Sequence, residues 1–209
     1  PNGATTVLSD IMREMMFATG NHHQPLFQAL LDARRVHGGR HVIVEDIEHT
    51  PITYNQLISR AFILARLFAQ NTAPREYVGF LLPNTIATLI AFFALQLRGR
   101  VPAMLNYTAG AQGILSACET AGIRTVYSSR RFIEAARLGD SVAAMELHIG
   151  VICLEDLRGK ITILDKLMGW FNGYFAGRLY RRLPDNTGPE DPAVVLFTSG
   201  SEGLPKAVA

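Results

Sequence analysis

The chain has 209 residues, of which 48% are hydrophobic and 18% are charged, a composition typical of a folded globular protein. Twenty basic residues against eighteen acidic ones give a net charge of +2, which is too small a positive field to favour a nucleic-acid partner. The two cysteines, Cys118 and Cys153, lack the spacing of a metal site and are expected to be buried and reduced, as in a cytoplasmic protein.

The sequence alternates between helical and strand periodicity, which is typical of β–α units. Strands joined in this way predict an α/β fold: a doubly wound, largely parallel sheet with flanking helices, whose ligands bind at the carboxyl ends of the strands. In chain order we predict helix Phe27–Val36, strand His41–Asp46, a turn around His49–Pro51, helix Tyr54–Gln70, strand Tyr77–Leu82, helix Asn84–Leu97, strand Val101–Leu105, helix Ala111–Ala121, strand Thr125–Tyr127, helix Arg131–Leu138, strand Ile149–Leu154, helix Ile161–Leu183 and a strand from Ala193 to Gly200.

The run from Val78 to Leu97 contains no formal charge and is long enough to be compared with a membrane span. Pro83 interrupts this run, and Asn84 or Thr85 can cap the amino end of a helix that follows. We therefore predict a buried strand followed by a buried helix, since both read as continuous apolar runs in an α/β protein.

The helix predicted over Ile161–Leu183 has an apolar stripe and a basic character. Six basic residues and one acidic residue, Asp165, lie between Arg158 and Arg182. Two interpretations remain open: a helix that packs on its own domain with a solvated basic face, or a helix that contacts an anionic membrane surface or an acidic carrier protein. The stripe comprises Leu164, Leu167, Phe171, Phe175 and Leu179, with Trp170, Tyr174 and Tyr180 around it.

The segment TSGSEGLPK, from Thr198 to Lys206, carries the groups that a polyphosphate needs at the end of a predicted strand. Its glycines permit close backbone approach, its hydroxyls donate hydrogen bonds, and its lysine supplies a positive charge. It is not a Walker A sequence, because Pro205 precedes the lysine and Ala207 follows it. The predicted phosphate-binding residues are Thr198, Ser199, Gly200, Ser201, Gly203 and Lys206.

The sequence FTSGSEGLPKAV resembles the phosphate-loop signature of the adenylate-forming, AMP-binding superfamily, usually [YF]TSGTTGxPKGV. Together with LLPN at 81–84, PAMLNYTAG at 102–110 and CLEDL at 153–157, the pair Ser201-Glu202 resembles the acyl-[acyl-carrier-protein] synthetases that are joined to a 2-acylglycerophosphoethanolamine acyltransferase. The resemblance runs from about Gln24 to Ala209, the N-terminal part of an AMP-binding domain. Residues 1–23 resemble the tail of an upstream acyltransferase region or a linker.

This resemblance implies an ATP-dependent reaction in two steps. A fatty acid attacks the α-phosphate of ATP to form acyl-AMP, and the acyl group then passes to acyl carrier protein for reacylation of lysophosphatidylethanolamine. It also implies ATP and Mg²⁺ as cofactors, and a location in the cytoplasm or peripherally on the cytoplasmic face of a bacterial inner membrane. Catalytic residues are expected after the loop, so the 209-residue chain alone is expected to be inactive.

Glu202 belongs to the implied cofactor-binding set, yet a carboxylate facing ATP would repel it. We expect Glu202 to point outward or to pair with Lys206, with contact to bound Mg²⁺ as a further alternative. The HxxxxD spacing of His41 and Asp46 is interpreted as coincidence, because it places the two side chains on opposite faces of a strand. His22-His23 are expected in a linker, and Tyr107 and Thr108 are assigned no role.

Two other functions remain open at this point. The chain would also fit part of a fatty acyl-CoA synthetase, or a non-catalytic nucleotide- or lipid-binding module at a membrane surface. Pyrophosphate release that depends on a fatty acid separates the enzymatic interpretations from the binding module.

Overall fold

The computed structural model describes residues 7–12, 23–46, 50–184, 188–199 and 205–208. Helices and strands alternate along most of this length. The elements are α1 (7–12), α2 (Leu26–His37), β1 (Val42–Glu45), β2 (Pro51–Thr53), α3 (Tyr54–Phe68), β3 (Tyr77–Leu81), α4 (Ile86–Leu97), β4 (Val101–Met104), a 3₁₀ turn (Tyr107–Ala109), α5 (Gly110–Ala121), β5 (Thr125–Ser128), α6 (Arg130–Ala135), α7 (Gly139–Glu146), β6 (Gly150–Cys153), α8 (Leu154–Gly159), α9 (Ile163–Tyr174), α10 (Ala176–Tyr180), β7 (Val195–Ser199) and β8 (Pro205–Val208).

The main sheet has the strand order β6-β5-β3-β4-β7-β8. The first five strands are parallel, and β8 is antiparallel to β7. Helices cover both faces: α2, α3 and α4 contribute to the apolar core on one face, and α5 and α7 to the core on the other. The predicted doubly wound α/β fold is confirmed.

The central strand β3 explains why both faces need a core. Val78 and Phe80 point into one core and Leu81 into the other, as expected for alternating side chains. Gly79 lies on the second face, where a Cβ atom would come within 2.8 Å of Val126 Cγ2. The apolar run that resembled a membrane span is thus a buried strand followed by the buried helix α4, and no helix in the described part of the chain is long and apolar enough to cross a membrane.

Local capping sets the helix boundaries. Thr85 accepts a hydrogen bond from the backbone N–H of Thr88, which selects Thr85 over Asn84 as the cap of α4. Thr53 and Gln56 form a reciprocal capping box at the start of α3. Gly122 adopts a φ of 64° and ends α5 where the sequence predicts.

Strand β1 departs from the prediction, because it lies outside the main sheet. It pairs antiparallel with β2, which forms where a turn was expected around His49–Pro51. The residues of β1 are only half-buried or exposed, whereas the strands at the centre of the main sheet are buried on both faces. Residues 47–49 of the predicted turn lie outside the described residues.

The prediction of one long helix over Ile161–Leu183 is also wrong in its extent. The segment forms two helices, α9 and α10, which are separated at Phe175, and Phe175 has the non-helical dihedral angles φ −95° and ψ 19°. The short helices α7 and α8 and the strand β8 were not predicted.

A buried arginine ties the amino edge of the main sheet together. Arg100, just before β4, is 3% exposed. Its Nε donates to Thr72 Oγ1 at 3.2 Å and its Nη2 donates to the Thr72 carbonyl oxygen at 2.7 Å. These bonds join the start of β4 to the segment between α3 and β3, at the opposite edge from the predicted phosphate site.

Candidate functional site

The predicted phosphate-binding segment connects two paired strands at the carboxyl edge of the sheet. β7 ends at Ser199, and this residue pairs with Pro205, the first residue of β8. The two residues that flank the segment 200–204 are therefore held side by side. Four of the predicted binding residues, Gly200, Ser201, Glu202 and Gly203, lie outside the described residues.

Thr198 and Lys206 are brought together by the strand register. They are directly opposite each other in the antiparallel pair, so their side chains project from the same face of the hairpin. Both residues are exposed. A hydroxyl donor and an ammonium group thus lie next to each other one residue pair before the segment 200–204, and both types of group can bind an anion.

The other face of this hairpin is anchored in the protein. Val195 is buried in the core that includes α5, and Phe197 packs against the same core. Leu196 and Val208 lie on the opposite face and are each about half exposed. Because side chains alternate along a strand, the anchoring of Val195 and Phe197 fixes which way Thr198 points.

The segment that enters β7 is attached to the helical layer. The side-chain Nε2 of Gln96, near the end of α4, donates a hydrogen bond to the carbonyl oxygen of Ala193. Gln96 is buried. Buried polar side chains are normally hydrogen-bonded, and this bond joins α4 to the segment that leads into β7.

The loop after β4 lies beside β7 at the same edge. Asn106 Oδ1 accepts hydrogen bonds from the backbone N–H of Thr108 at 3.0 Å and from the Thr108 hydroxyl at 2.8 Å. The ring of Tyr107 packs edge-on against Phe132, with 5.3 Å between their centroids. Thr108 is thus the polar residue of a turn, and Tyr107 is part of a ring contact.

Two polar pairs at the carboxyl ends of β5 and β6 were not found from the sequence. The Ser129 hydroxyl donates to Glu155 Oε1 at 2.7 Å, and Arg130 Nη2 lies 2.7 Å from Asp156 Oδ1. Partial burial of Glu155 opposes its ionisation, but the hydrogen bonds from the Ser129 hydroxyl and from backbone amides outweigh this and lower its pKa. The two pairs join the start of α6 to the start of α8. In the sequence, only the acidic first turn of α8, within CLEDL, indicated these pairs.

The remaining titratable candidates are explained by packing. Burial raises the pKa of the Cys118 thiol to about 11, with a smaller contribution from Glu119. Burial, followed by the charge of Glu155, also raises the pKa of Cys153. His41 stacks on Tyr54 with 6.3 Å between centroids, and His23 lies 3.7 Å from Glu190 on the surface. His22 lies outside the described residues.

Among the residues with described positions, no group of three or more His, Cys, Asp or Glu side chains is arranged to hold a metal ion. No Mg²⁺ ligand is therefore assigned to the described part of the site. Glu202, the carboxylate within the loop, is not among the described residues.

A separate cavity of about 330 Å³ lies between α3 and the pair α9 and α10. Its wall is mainly apolar, with charged residues at Arg66, Arg98, Asp165 and Arg182. It is bordered by the face of α9 that packs onto the domain, and not by the hairpin of β7 and β8.

The chain belongs to the family of AMP-binding enzymes, whose sequence pattern matches residues 31–209. It is 28% identical over 197 residues to a 4-chlorobenzoate–CoA ligase from an Arthrobacter species, an alignment that includes 92% of this chain and 32% of the ligase. This chain thus spans about a third of that relative.

Solved structures share the fold. The chain is 22% identical to VinN in complex with L-aspartate, with a TM-score of 0.67 over 90% of this chain and 48% of VinN. It is 19% identical to the N-terminal domain of FACL13 from Mycobacterium tuberculosis, with a TM-score of 0.59 over 88% of this chain and 44% of that one. The architecture is that of the N-terminal domain of adenylate-forming enzymes.

Proposed function

We propose that this chain is the N-terminal part of an ATP-dependent acid–thiol ligase that activates a fatty acid as acyl-AMP. The observation that carries the proposal is the hairpin of β7 and β8, which presents Thr198 and Lys206 together at the carboxyl edge of a doubly wound sheet in a chain of the AMP-binding family. The loop between these strands, with Ser201, Glu202 and Gly203, would complete the phosphate contacts.

The first step of this reaction needs little acid–base chemistry. A fatty acid carboxylate is ionised at neutral pH and can attack the α-phosphate directly, so the protein must mainly orient ATP and offset phosphate charge. Lys206 contributes a positive charge, and the Thr198 hydroxyl contributes a donor on the same face. Mg²⁺ bound with ATP would supply further charge neutralisation.

We propose acyl carrier protein as the acceptor in the second step. The support is the Ser201-Glu202 pair within the loop, which resembles the acyl-[acyl-carrier-protein] synthetases. Coenzyme A is the alternative acceptor, and the name of the 4-chlorobenzoate–CoA ligase relative favours it. Loading of holo acyl carrier protein and of coenzyme A by the full-length protein, each at equal concentration, decides between them.

Substitution of Lys206 tests the first step. In the full-length protein, Lys206→Ala should slow fatty-acid-dependent exchange between ATP and pyrophosphate by about 10²–10³-fold, because a charge that stabilises the phosphate transition state is lost. Lys160→Ala is the matched control, since Lys160 is an exposed lysine at the end of α8, and it should retain parental exchange. Parental exchange by Lys206→Ala would contradict the site assignment.

A further inference from the structure

Helix α9 faces the protein with its small and polar residues. Asp165, Gly169 and Gly173, spaced four residues apart, are its buried residues. Asp165 Oδ1 lies 2.6 Å from Arg66 Nη2 on α3. This spacing places the three residues along one line of the helix, so that line is the contact with α3.

The two glycines allow α9 to lie directly against α3. A Cβ atom at position 169 would overlap the side chain of Ile63 and lie 3.1 Å from the Ser59 carbonyl oxygen. A Cβ atom at position 173 would overlap the Ser59 hydroxyl. Arg34 Nη1 on α2 also donates to the Gly173 carbonyl oxygen at 2.6 Å. Together with the Arg66–Asp165 pair, these contacts fix the rotation of α9 about its own axis.

The opposite side of α9 is therefore held toward the surface, and it is apolar. Trp170 is 66% exposed, Leu164 is 64% exposed and Leu167 is 62% exposed. A globular protein seldom exposes a contiguous apolar patch of this kind without a partner. We call the following exposed residues the outer face: Ile163, Leu164, Leu167, Trp170, Phe171, Tyr174 and Phe175.

The segment that carries the outer face is rich in exposed basic residues. The basic residues from Arg158 to Arg182 are all exposed, whereas the single carboxylate in that stretch, Asp165, is buried and paired with Arg66. The exposed charged side chains from Arg158 to Arg182 are therefore all basic, while the nearest acidic ones along the chain, Glu155 and Asp156, lie on α8. The basic residues are Arg158, Lys160, Lys166, Arg178, Arg181 and Arg182.

We propose that the outer face of α9 docks on an anionic lipid bilayer. Apolar and aromatic side chains on one side of a helix, with cationic residues at its margins, are the pattern of helices that lie in the membrane interface. Trp170 and Tyr174 are residue types that favour this depth. With twelve residues, α9 is about 18 Å long, well below the thickness of the hydrocarbon core, so it lies along the surface.

Charge favours a lipid surface over two other partners. A second copy of the chain would bring two cationic surroundings together, and this repulsion opposes pairing of the outer faces. An acidic soluble protein would match the charge, but it would also need an apolar groove that covers the outer face. An anionic bilayer satisfies both the apolar and the cationic residues.

Vesicle flotation of the full-length protein tests this proposal. The parent should float with vesicles of phosphatidylcholine mixed with phosphatidylglycerol, and less with phosphatidylcholine alone or as NaCl is raised. Leu167→Ser combined with Phe171→Ser should weaken flotation at least about tenfold, because two exposed apolar side chains no longer enter the interface. Lys166→Glu combined with Arg178→Glu should reduce the preference for phosphatidylglycerol by about tenfold.

The matched control is Val36→Ser combined with Leu147→Ser. These two apolar side chains are at least as exposed as Leu167 and Phe171 but lie on α2 and after α7. The control should float like the parent. All variants should keep the parental rate of ATP–pyrophosphate exchange with a water-soluble short-chain acid. Failure of the membrane-docking proposal can then be distinguished from failure of the proposed adenylation function.

Three results would overturn the proposal. The first is a parent that does not float with anionic vesicles, and the second is equal flotation of the parent and the Leu167/Phe171 variant. The third is loss of self-association, or a raised KM for acyl carrier protein, in that variant with flotation unchanged; this result would assign the outer face to a protein partner.

Discussion

Asp165 is a single residue that both caps and attaches helix α9. Its Oδ2 accepts hydrogen bonds from the Thr162 backbone N–H and hydroxyl, each at 2.9 Å, while Oδ1 pairs with Arg66. The backbone bond from Thr162, then its hydroxyl and the charge of Arg66, hold the pKa of Asp165 below its ordinary value.

The depressed pKa predicts an acid-dependent contribution to stability. An unfolded Asp titrates at about pH 3.9. The stabilisation is therefore fully present above that pH and is lost as pH falls through the lower pKa of the folded state. Asp165→Asn should therefore lower the free energy of unfolding at neutral pH and have a smaller effect in acid. Urea unfolding followed by circular dichroism at a series of pH values measures this, and a difference that is constant with pH would contradict it.

The close contact between α3 and α9 reverses the usual effect on stability of replacing a helical glycine by alanine. Replacing an exposed helical glycine by alanine ordinarily stabilises a helix by about 0.5–1 kcal/mol. At Gly169 and Gly173 the added methyl group meets Ile63 and Ser59, and overpacking of this kind costs about 1–3 kcal/mol.

Gly169→Ala and Gly173→Ala are therefore each expected to lower the free energy of unfolding. Gly177→Ala on α10 is the matched control, because a methyl group there meets no atom within 4 Å. It should be neutral or stabilising by about 0.5 kcal/mol. Urea midpoints of the three variants give the comparison, and stabilisation by either of the first two would show that α9 does not approach α3 closely.

The helices and strands of the main sheet show which parts of the fold the sequence could and could not predict. The strands β3 to β7 and the helices α4, α5 and α6 follow from periodicity and from signals such as Gly122 and Thr85, because these act locally. The stripe around Leu167 was recognised, but its direction was not. Apolar periodicity identifies a face, whereas here the inward direction is set by Gly169 and by the distant Arg66, and no local pattern carries that information.

The candidate site was likewise predicted from the sequence only in part. The strand end and the phosphate-binding residue types were found from TSGSEGLPK, since strand, glycine and lysine are local signals. The pairing of Thr198 with Lys206 was not predicted, because β8 is a short edge strand whose existence depends on β7 and α5. The assignment of all seven residues to nucleotide contact remains a prediction: Thr198, Ser199, Gly200, Ser201, Glu202, Gly203 and Lys206.

At the scale of the whole molecule, the proposed function predicts that this chain alone is an incomplete enzyme. It spans 32% of the ligase relative, and the resemblance implies that the nucleoside-binding residues and the lysine of a mobile C-terminal domain follow the phosphate loop. Phosphate contacts without these groups should give weak binding that does not distinguish ATP from GTP.

Calorimetric titration of the 209-residue chain with ATP and with GTP, beside an exchange assay with a long-chain fatty acid, measures this. The full-length protein is the positive control for both assays. Tight, adenine-selective binding with turnover by the 209-residue chain would contradict the prediction that the nucleoside-binding residues and the catalytic lysine lie in other parts of the protein.

The pairing of β7 with β4 has a consequence for the order in which the molecule is assembled. Val195 is the partner of Ala103, so this contact closes a long stretch of chain, and closing it costs more conformational entropy than closing the β3–β4 connection. During synthesis the ribosome releases β3, β4, β5 and β6 well before β7. The sheet can form these four strands while the docking position for β7 is still an open edge beside β4, so β7 and β8, which carry the candidate site, join the sheet after them.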